Sequence, residues 1–230
     1  MIQLLERAKN FKDRIALVSN GRAYSYEQLL KAARNVAANL LAGKPDLKEA
    51  RITFLIPPSF EYTAVQWGVW AAGGIAVPLC DLHPLPSIQY VLQDTGADIV
   101  IAHKDCLDFL KPLEKSIGIS VVPLESILQE NNSEIPRVDS ARGAMILYTS
   151  GTTSKPKGVV TTHDNIESQI TALVKAWEWE KEDHILNILP LHHVHGIINV
   201  MSCALWSGAC CEFLPKFNAE NVWKILASER

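Results

Sequence analysis

Tyr148 to Val159 reads Y-T-S-G-T-T-S-K-P-K-G-V. It sets the hydroxyls of Thr149, Ser150, Thr152 and Thr153 beside Gly151, Gly158, Lys155 and Lys157. Hydroxyls and backbone N–H groups donate to phosphate oxygens, glycines let the backbone come close, and lysines offset charge. A loop of this make-up can wrap a polyphosphate. The apolar run Ala144 to Leu147 precedes it and Val159-Val160 follows, which predicts strand–loop–strand. The G-x-x-x-x-G-K-[ST] spacing of the P-loop fails, because five residues after Gly151 stands Pro156. A plain polar surface loop is the competing reading of the same composition.

The second chemistry-bearing stretch is Pro190-Leu191-His192-His193-Val194-His195-Gly196. Three readings of its imidazoles compete. They are solvated groups at a strand end. Or they bind a metal, with His193 and His195 on one face of an extended segment and Cys203, Cys210 or Cys211 as further ligands, although no zinc spacing is present. Or one of them meets a substrate at the carboxyl end of a strand, where open α/β sheets place their ligands.

The elements that must hold these stretches alternate along the chain. Ile15–Val18 reads as a strand. Ser25 and Gln28 form a capping box ahead of a helix faced by Leu29, Ala33, Val36, Ala37 and Leu40. Ile52–Ile56 is a continuous apolar run, as in a strand buried on both faces. Ser59 is an N-cap, and Tyr62, Val65, Trp67, Val69 and Trp70 make the next helix apolar nearly all round. Ile75–Leu79, Asp98–Ala102 and Ser120–Val122 are strands with helices between them. Repeated β-α-β predicts a mostly parallel sheet covered on both sides. The polar stretch from Gln129 to Arg142 reads as a crossover. Asp164 and Glu167 predict a helix cap, with Ile166, Ile170, Leu173, Val174 and Trp177 on the buried face. Ile185–Leu189 is a strand, Ile197–Trp206 a helix and Ala209–Leu214 a strand. Trp67, Trp70, Trp177 and Trp206 are expected to be packing residues. Asp81, His83 and Asp94 receive no role.

Bulk properties narrow the function. The chain has 230 residues and a net charge of -3, so it has no basic footprint for nucleic acid. No apolar run reaches the roughly 20 residues of a membrane helix, and Met1–Asn10 lacks a signal-peptide core. Five cysteines with no C-x-x-C predict buried thiols in a reduced cytoplasmic protein. Asn218 caps a final helical stripe of Val222, Ile225 and Leu226, and the sequence stops inside it at Arg230. That ending predicts a piece of a longer protein. Nothing in the sequence fixes an oligomeric state.

The whole string from Tyr148 to Val159 resembles the phosphate-binding signature of the AMP-forming adenylating superfamily, which includes acyl-CoA synthetases, luciferases and peptide-synthetase adenylation domains. That family usually carries Gly where this chain has Ser154, which predicts a stiffer loop. Pro190, His193 and Gly196 fit its P-x-x-H-x-x-G, and Tyr24-Ser25-Tyr26-Glu27-Gln28-Leu29 looks like its T-Y-x-x-L entry to an early helix. Leu189 to Gly208 looks most like the malonate–CoA ligase branch. The resemblance covers the front half of a family member. It implies an α/β fold, the N-terminal part of the adenylate-forming large domain, with two mostly parallel sheets flanked by helices. It also implies a first subdomain over 1–128, a crossover over 129–142, and the phosphate-loop hairpin with part of a second subdomain over 143–230.

The same resemblance implies an acid–thiol ligase. A small-molecule carboxylic acid is activated with ATP and Mg²⁺ to an acyl-adenylate and passed to coenzyme A. Malonate or a short acid is favoured, and medium- or long-chain fatty acids come next. A non-catalytic nucleotide-binding module is the rival, and a carrier protein is the other possible acceptor. His193 and Lys157 take the catalytic roles. Thr149, Ser150, Gly151, Thr152, Thr153, Ser154, Lys155, Pro156 and Lys157 hold the β- and γ-phosphates. His193 and His195 face the acyl group, and no residue is assigned to a resident metal. The family's acidic nucleotide motif, ribose-binding Asp and lid lysine find no match up to Arg230, so this stretch alone is expected to show little ligase activity.

Overall fold

The computed structural model describes residues 2–149, 155–214 and 217–227. Helix α1 (Gln3–Ala8) precedes the strands β1 (Ile15–Ser19) and β2 (Arg22–Ser25) and helix α2 (Tyr26–Leu41). The next elements are β3 (Arg51–Leu55), α3 (Phe60–Ala71), β4 (Ile75–Pro78), α4 (Leu85–Thr95) and β5 (Ile99–Ala102). They lead into α5 (Leu107–Ile117), β6 (Ser120–Pro123) and the short α6 (Leu124–Ile127). After a long polar strap come β7 (Gly143–Thr149), β8 (Lys157–Thr162), α7 (His163–Ala176) and β9 (His184–Asn187). A π-helix (His195–Ser202) runs into α8 (Cys203–Ser207), and β10 (Cys210–Phe213) and α9 (Ala219–Leu226) complete the described chain.

The strands form two sheets, ordered β2-β1-β10-β9 and β6-β5-β3-β4-β7-β8. Both are mostly parallel. Only β1 with β2 and β7 with β8 run antiparallel. Helices pack on the sheets, as the β-α-β alternation predicts.

The division at residues 129–142 does not follow these sheets. β7 pairs with β4, through Ala76 and Met145, and β1 pairs with β10. Strands from both sides of the strap therefore share each sheet. The strap is tied down by the Asn39 amide, which donates to the carbonyls of Ile127 (3.0 Å) and Gln129 (2.7 Å). At its end the Arg142 guanidinium forks onto Asp46 (2.7 and 3.0 Å) and the Gly73 carbonyl (2.6 Å). This fork holds the Asp46 carboxyl below the usual carboxylate range.

Helix α3 is the centre of the core. Ser59 caps it by accepting from the Tyr62 N–H at 3.2 Å, and every residue from Tyr62 to Ala71 is buried. Trp67 and Trp70 are 0% and 1% exposed, which makes them packing residues as expected. Each buried aromatic of this size contributes about 4–6 kcal/mol of transfer free energy before entropy is subtracted. Gly68 lets α3 close on α2: a Cβ there would overlap Val36 and lie 2.9 Å from the Ala33 carbonyl.

Two local expectations fail for physical reasons. The cap of α7 is Thr162, boxed with Asn165, in place of Asp164 with Glu167. β8 feeds straight into the helix, so the last strand residue supplies the hydroxyl. Trp177 is 50% exposed, because it stands past the end of α7 where the helix leaves the core.

Gly68→Ala should lower the urea midpoint, with a loss of about 1–3 kcal/mol from overpacking. That outweighs the usual helix gain of about 1 kcal/mol for replacing a helical glycine by alanine. A raised midpoint would refute the close approach.

A second expectation concerns acid. His163 is 4% exposed, and burial first, then the Arg142 charge, push its imidazole from 6.5 down to about 4. The unfolded chain takes up this proton near the ordinary value and the folded chain only near 4. Stability therefore falls as pH drops through that window, by up to about 1.4 kcal/mol per pH unit for one proton. His163→Gln should remove that share of the slope in urea titrations from pH 7 to pH 5, and an unchanged slope would contradict it.

Candidate active site

A cleft of about 530 Å³ opens at the carboxyl ends of β4 and β7, where parallel α/β sheets place their ligands. Leu79 and Cys80 form its floor. Tyr148, Thr149, Lys155 and Pro156 line one side, Ser87, Tyr90 and Val91 of α4 another, and His83, His192 and His193 the rim.

The two strands that the sequence predicts on either side of the loop are present. β7 and β8 pair antiparallel with Thr149 opposite Lys157. Ser150, Gly151, Thr152, Thr153 and Ser154 lie outside the described residues. Of the remaining candidates, Thr149, Lys155 and Pro156 reach the cleft. Lys157 opens the exposed edge strand β8.

Helix α4 grips both legs of the hairpin. On the outgoing leg the Tyr148 hydroxyl donates to the Asp94 carboxylate at 2.6 Å. Burial first, then this carboxylate, push the phenol above its ordinary range. On the return leg the Tyr90 hydroxyl donates to the Pro156 carbonyl at 3.0 Å, and the Lys155 ammonium stands 5.4 Å above the Tyr90 ring.

The histidine stretch is held from below. The buried Tyr62 hydroxyl donates to the Leu191 carbonyl at 2.5 Å. The buried Asn187 amide donates to the Gly196 carbonyl at 3.0 Å and its oxygen accepts from the Leu189 N–H at 3.1 Å. Gly196 is required by space: a Cβ there would stand 2.6 Å from the Pro190 carbonyl. This turn aims His192 and His193 into the cleft, with ring centroids 4.2 Å apart and His83 6.0 Å from His192. Burial first, then His193 and His83, push His192 down to about 4, so its ring is neutral near pH 7.

His195 is not with them. It starts the π-helix, exposed, and its Nδ1 lies 3.4 Å from the Asn199 amide, which accepts from Gln169 at 2.5 Å. A π-helix of this kind is uncommon and frequent at functional sites.

Cys203 is buried behind the π-helix, and Cys210 and Cys211 sit in β10 of the other sheet. All five cysteines are free thiols. Among the described residues no group of three His, Cys, Asp or Glu side chains is arranged to hold a metal ion, so the metal reading of the histidines finds no geometric support.

Reasoning from sequence missed His83, Tyr90 and Asp94. His83 follows a parallel strand, and the rule that ligands lie beyond such strand ends would have flagged it. Tyr90 and Asp94 are four residues apart on one face of a helix. Nothing local says that this face meets the hairpin.

Known proteins resemble the chain along its whole length. The profile of the family described as AMP-binding enzyme matches residues 4–230. The human mitochondrial malonate–CoA ligase ACSF3 is 40% identical over 235 residues, covering 97% of this chain and 41% of that protein. The malonate–CoA ligase of Arabidopsis thaliana is 35% identical, covering 94% of this chain and 40% of its own length. The crystal structure of ATP-bound MatB from Rhodopseudomonas palustris superposes with a TM-score of 0.85 at 26% identity, over 98% of this chain and 48% of that one. The chain thus spans about 40% of the length of these curated relatives. With the family profile matched over residues 4–230, this chain belongs to the AMP-binding enzyme family.

Proposed function

We propose that the chain is the N-terminal part of an AMP-forming carboxylate–CoA ligase, with malonate or a similar short acid as substrate. One observation carries this reading. The cleft joins the described legs of a hydroxyl- and lysine-rich loop to a pair of imidazoles, at the strand ends where a nucleotide and an acid would meet. The malonate–CoA ligase names of the relatives support the choice of acid.

The reaction has two steps. A carboxylate oxygen attacks the α-phosphorus of ATP and pyrophosphate leaves. The thiol of coenzyme A then takes the acyl group and AMP departs. Charge builds on the bridging and leaving oxygens, so the protein contributes position and electrostatics. Thr149 to Lys157 hold the β- and γ-phosphates, with Lys157 and Lys155 offsetting charge. His193 lies between acid and α-phosphate, and His195, which stands outside the cleft, is left without an acyl-binding role. Burial, with His193 and His83 alongside, keeps His192 neutral and leaves it able both to donate and to accept a hydrogen bond. Mg²⁺ takes oxygen ligands and keeps much of its water. The Asp94 carboxylate is engaged by Tyr148, so the metal fits here as an ion carried on the triphosphate.

The free thiols support a reducing compartment, and we read it as the cytoplasm. The human relative is named mitochondrial, so cell fractionation decides the matter. No helix among the described residues is long and apolar enough to cross a membrane.

Exchange of labelled pyrophosphate into ATP with a panel of carboxylic acids, on a chain of the relatives' full length, tests the proposal. Malonate should support the fastest exchange. Failure of every acid to support exchange would leave only a nucleotide-binding module. Lys157→Ala should slow adenylation by about 10²- to 10³-fold, the loss of one preorganised donor, with little change in melting temperature. A near-normal rate would remove Lys157 from the site.

Tyr62→Phe leaves the Leu191 carbonyl buried without its donor. It should cost about 1–3 kcal/mol of stability and raise the KM for the acid more than that for ATP. Equal KM values in both enzymes would show that the turn does not depend on this bond.

A further inference from the structure

We propose that Tyr90 and Asp94 are positioning residues for the polyphosphate, acting through Lys155, Pro156 and Tyr148. The inference rests on the phosphate-binding role given to this hairpin above and adds the device that sets its geometry.

The two residues stand one turn apart on α4, and each holds a different leg. Asp94 accepts from Tyr148, next to Thr149, at 2.6 Å. Tyr90 donates to Pro156 at 3.0 Å, and its ring lies under the ammonium of Lys155. The two tyrosine rings meet edge to face, 6.3 Å apart, so the two legs are braced against one another through α4. The helix itself is anchored by Ile88, Val91 and Leu92, all buried. The grip therefore comes from a rigid element.

Magnitudes decide what the ring does for Lys155. An exposed ammonium over a tyrosine ring is worth about 2- to 5-fold in an equilibrium constant. A charge-assisted hydrogen bond to a phosphate oxygen is worth about 10- to 100-fold. The ring thus holds the lysine at the cleft without competing with the ligand. It removes part of the ordering cost that a long side chain otherwise pays on binding.

Inorganic triphosphate with Mg²⁺ is the probe, because it needs no ribose or base site. Calorimetric titration of the full chain should give an affinity that falls about 3- to 10-fold in Tyr90→Phe, which loses one hydrogen bond. Tyr90→Leu, which also loses the ring, should fall further. Asp94→Ala should weaken binding while Asp94→Asn, still an acceptor, restores most of it. Melting temperatures of Tyr90→Phe and Asp94→Asn should stay close to the parent's, since both leave the packing of the tyrosine rings against the core in place.

A double-mutant cycle separates positioning from general damage. In a Lys155→Ala background, Tyr90→Leu should cost no more than the Tyr90→Phe change costs alone. Parental affinity in both Tyr90→Leu and Asp94→Ala overturns the inference and leaves the proposed function standing. So does an affinity loss that tracks a fall in melting temperature. If the parent chain itself fails to bind triphosphate, the phosphate role of the hairpin falls and the inference falls with it.

Discussion

The site depends on one buried helix. α3 reaches both chemistry-bearing stretches with buried long-range hydrogen bonds: the Trp70 indole donates to the Ala144 carbonyl at 2.7 Å, and the Tyr62 hydroxyl donates to the Leu191 carbonyl at 2.5 Å. Ala144 is the second residue of the strand that leads into the hairpin, and Leu191 precedes the two imidazoles. A displacement of α3 would move the lysines and the histidines together. That is why its packing against α2 at Gly68 matters for chemistry carried out on other elements. Buried hydrogen bonds of this kind are expensive to leave unmade, which makes the spacing of the two stretches a property of the core.

The electrostatics follow from the same burial. His192 and His163 are both driven down to about 4 by desolvation first, one at the cleft and one behind it. Near pH 7 neither adds charge. Lys155 brings an ammonium to the cleft, and the neutral His192 ring beside it supplies a donor and an acceptor without adding to that charge. The molecule tolerates neutral buried rings at the cost of acid stability, since both take up protons more readily once unfolded.

Much of this was legible locally. Ser25, Ser59 and Asn218 cap helices as their sequence contexts say, because an N-cap is a contact within four residues. The strand–loop–strand reading of Ala144 to Val160 held for the same reason. Sheet membership was not legible. The pairing of β4 with β7 joins Ala76 to Met145 across an intervening polar strap, and no local pattern records it. Thr162 displaced Asp164 as the cap because strand and helix are continuous there. Within the site, Pro190, His193 and Gly196 could be read as a motif. Tyr90 and Asp94 could not, since their meaning arises only once α4 lies beside the hairpin.

A two-stranded ribbon positions a loop poorly by itself, because its stability in water is marginal. Here β7 is secured by β4, but β8 is the edge strand, with Val159 and Val160 48% and 57% exposed. The return leg that carries Lys155 and Lys157 thus has backbone support on one side alone. Precision in a phosphate site requires the donors to be held before the ligand arrives. The structure supplies the missing restraint from outside the sheet: a hydroxyl on a carbonyl and a ring under an ammonium. Both act on the leg that the sheet secures least. A proline in that leg suits the arrangement, since Pro156 has a fixed φ and no N–H to satisfy. Its carbonyl remains free to take the tyrosine.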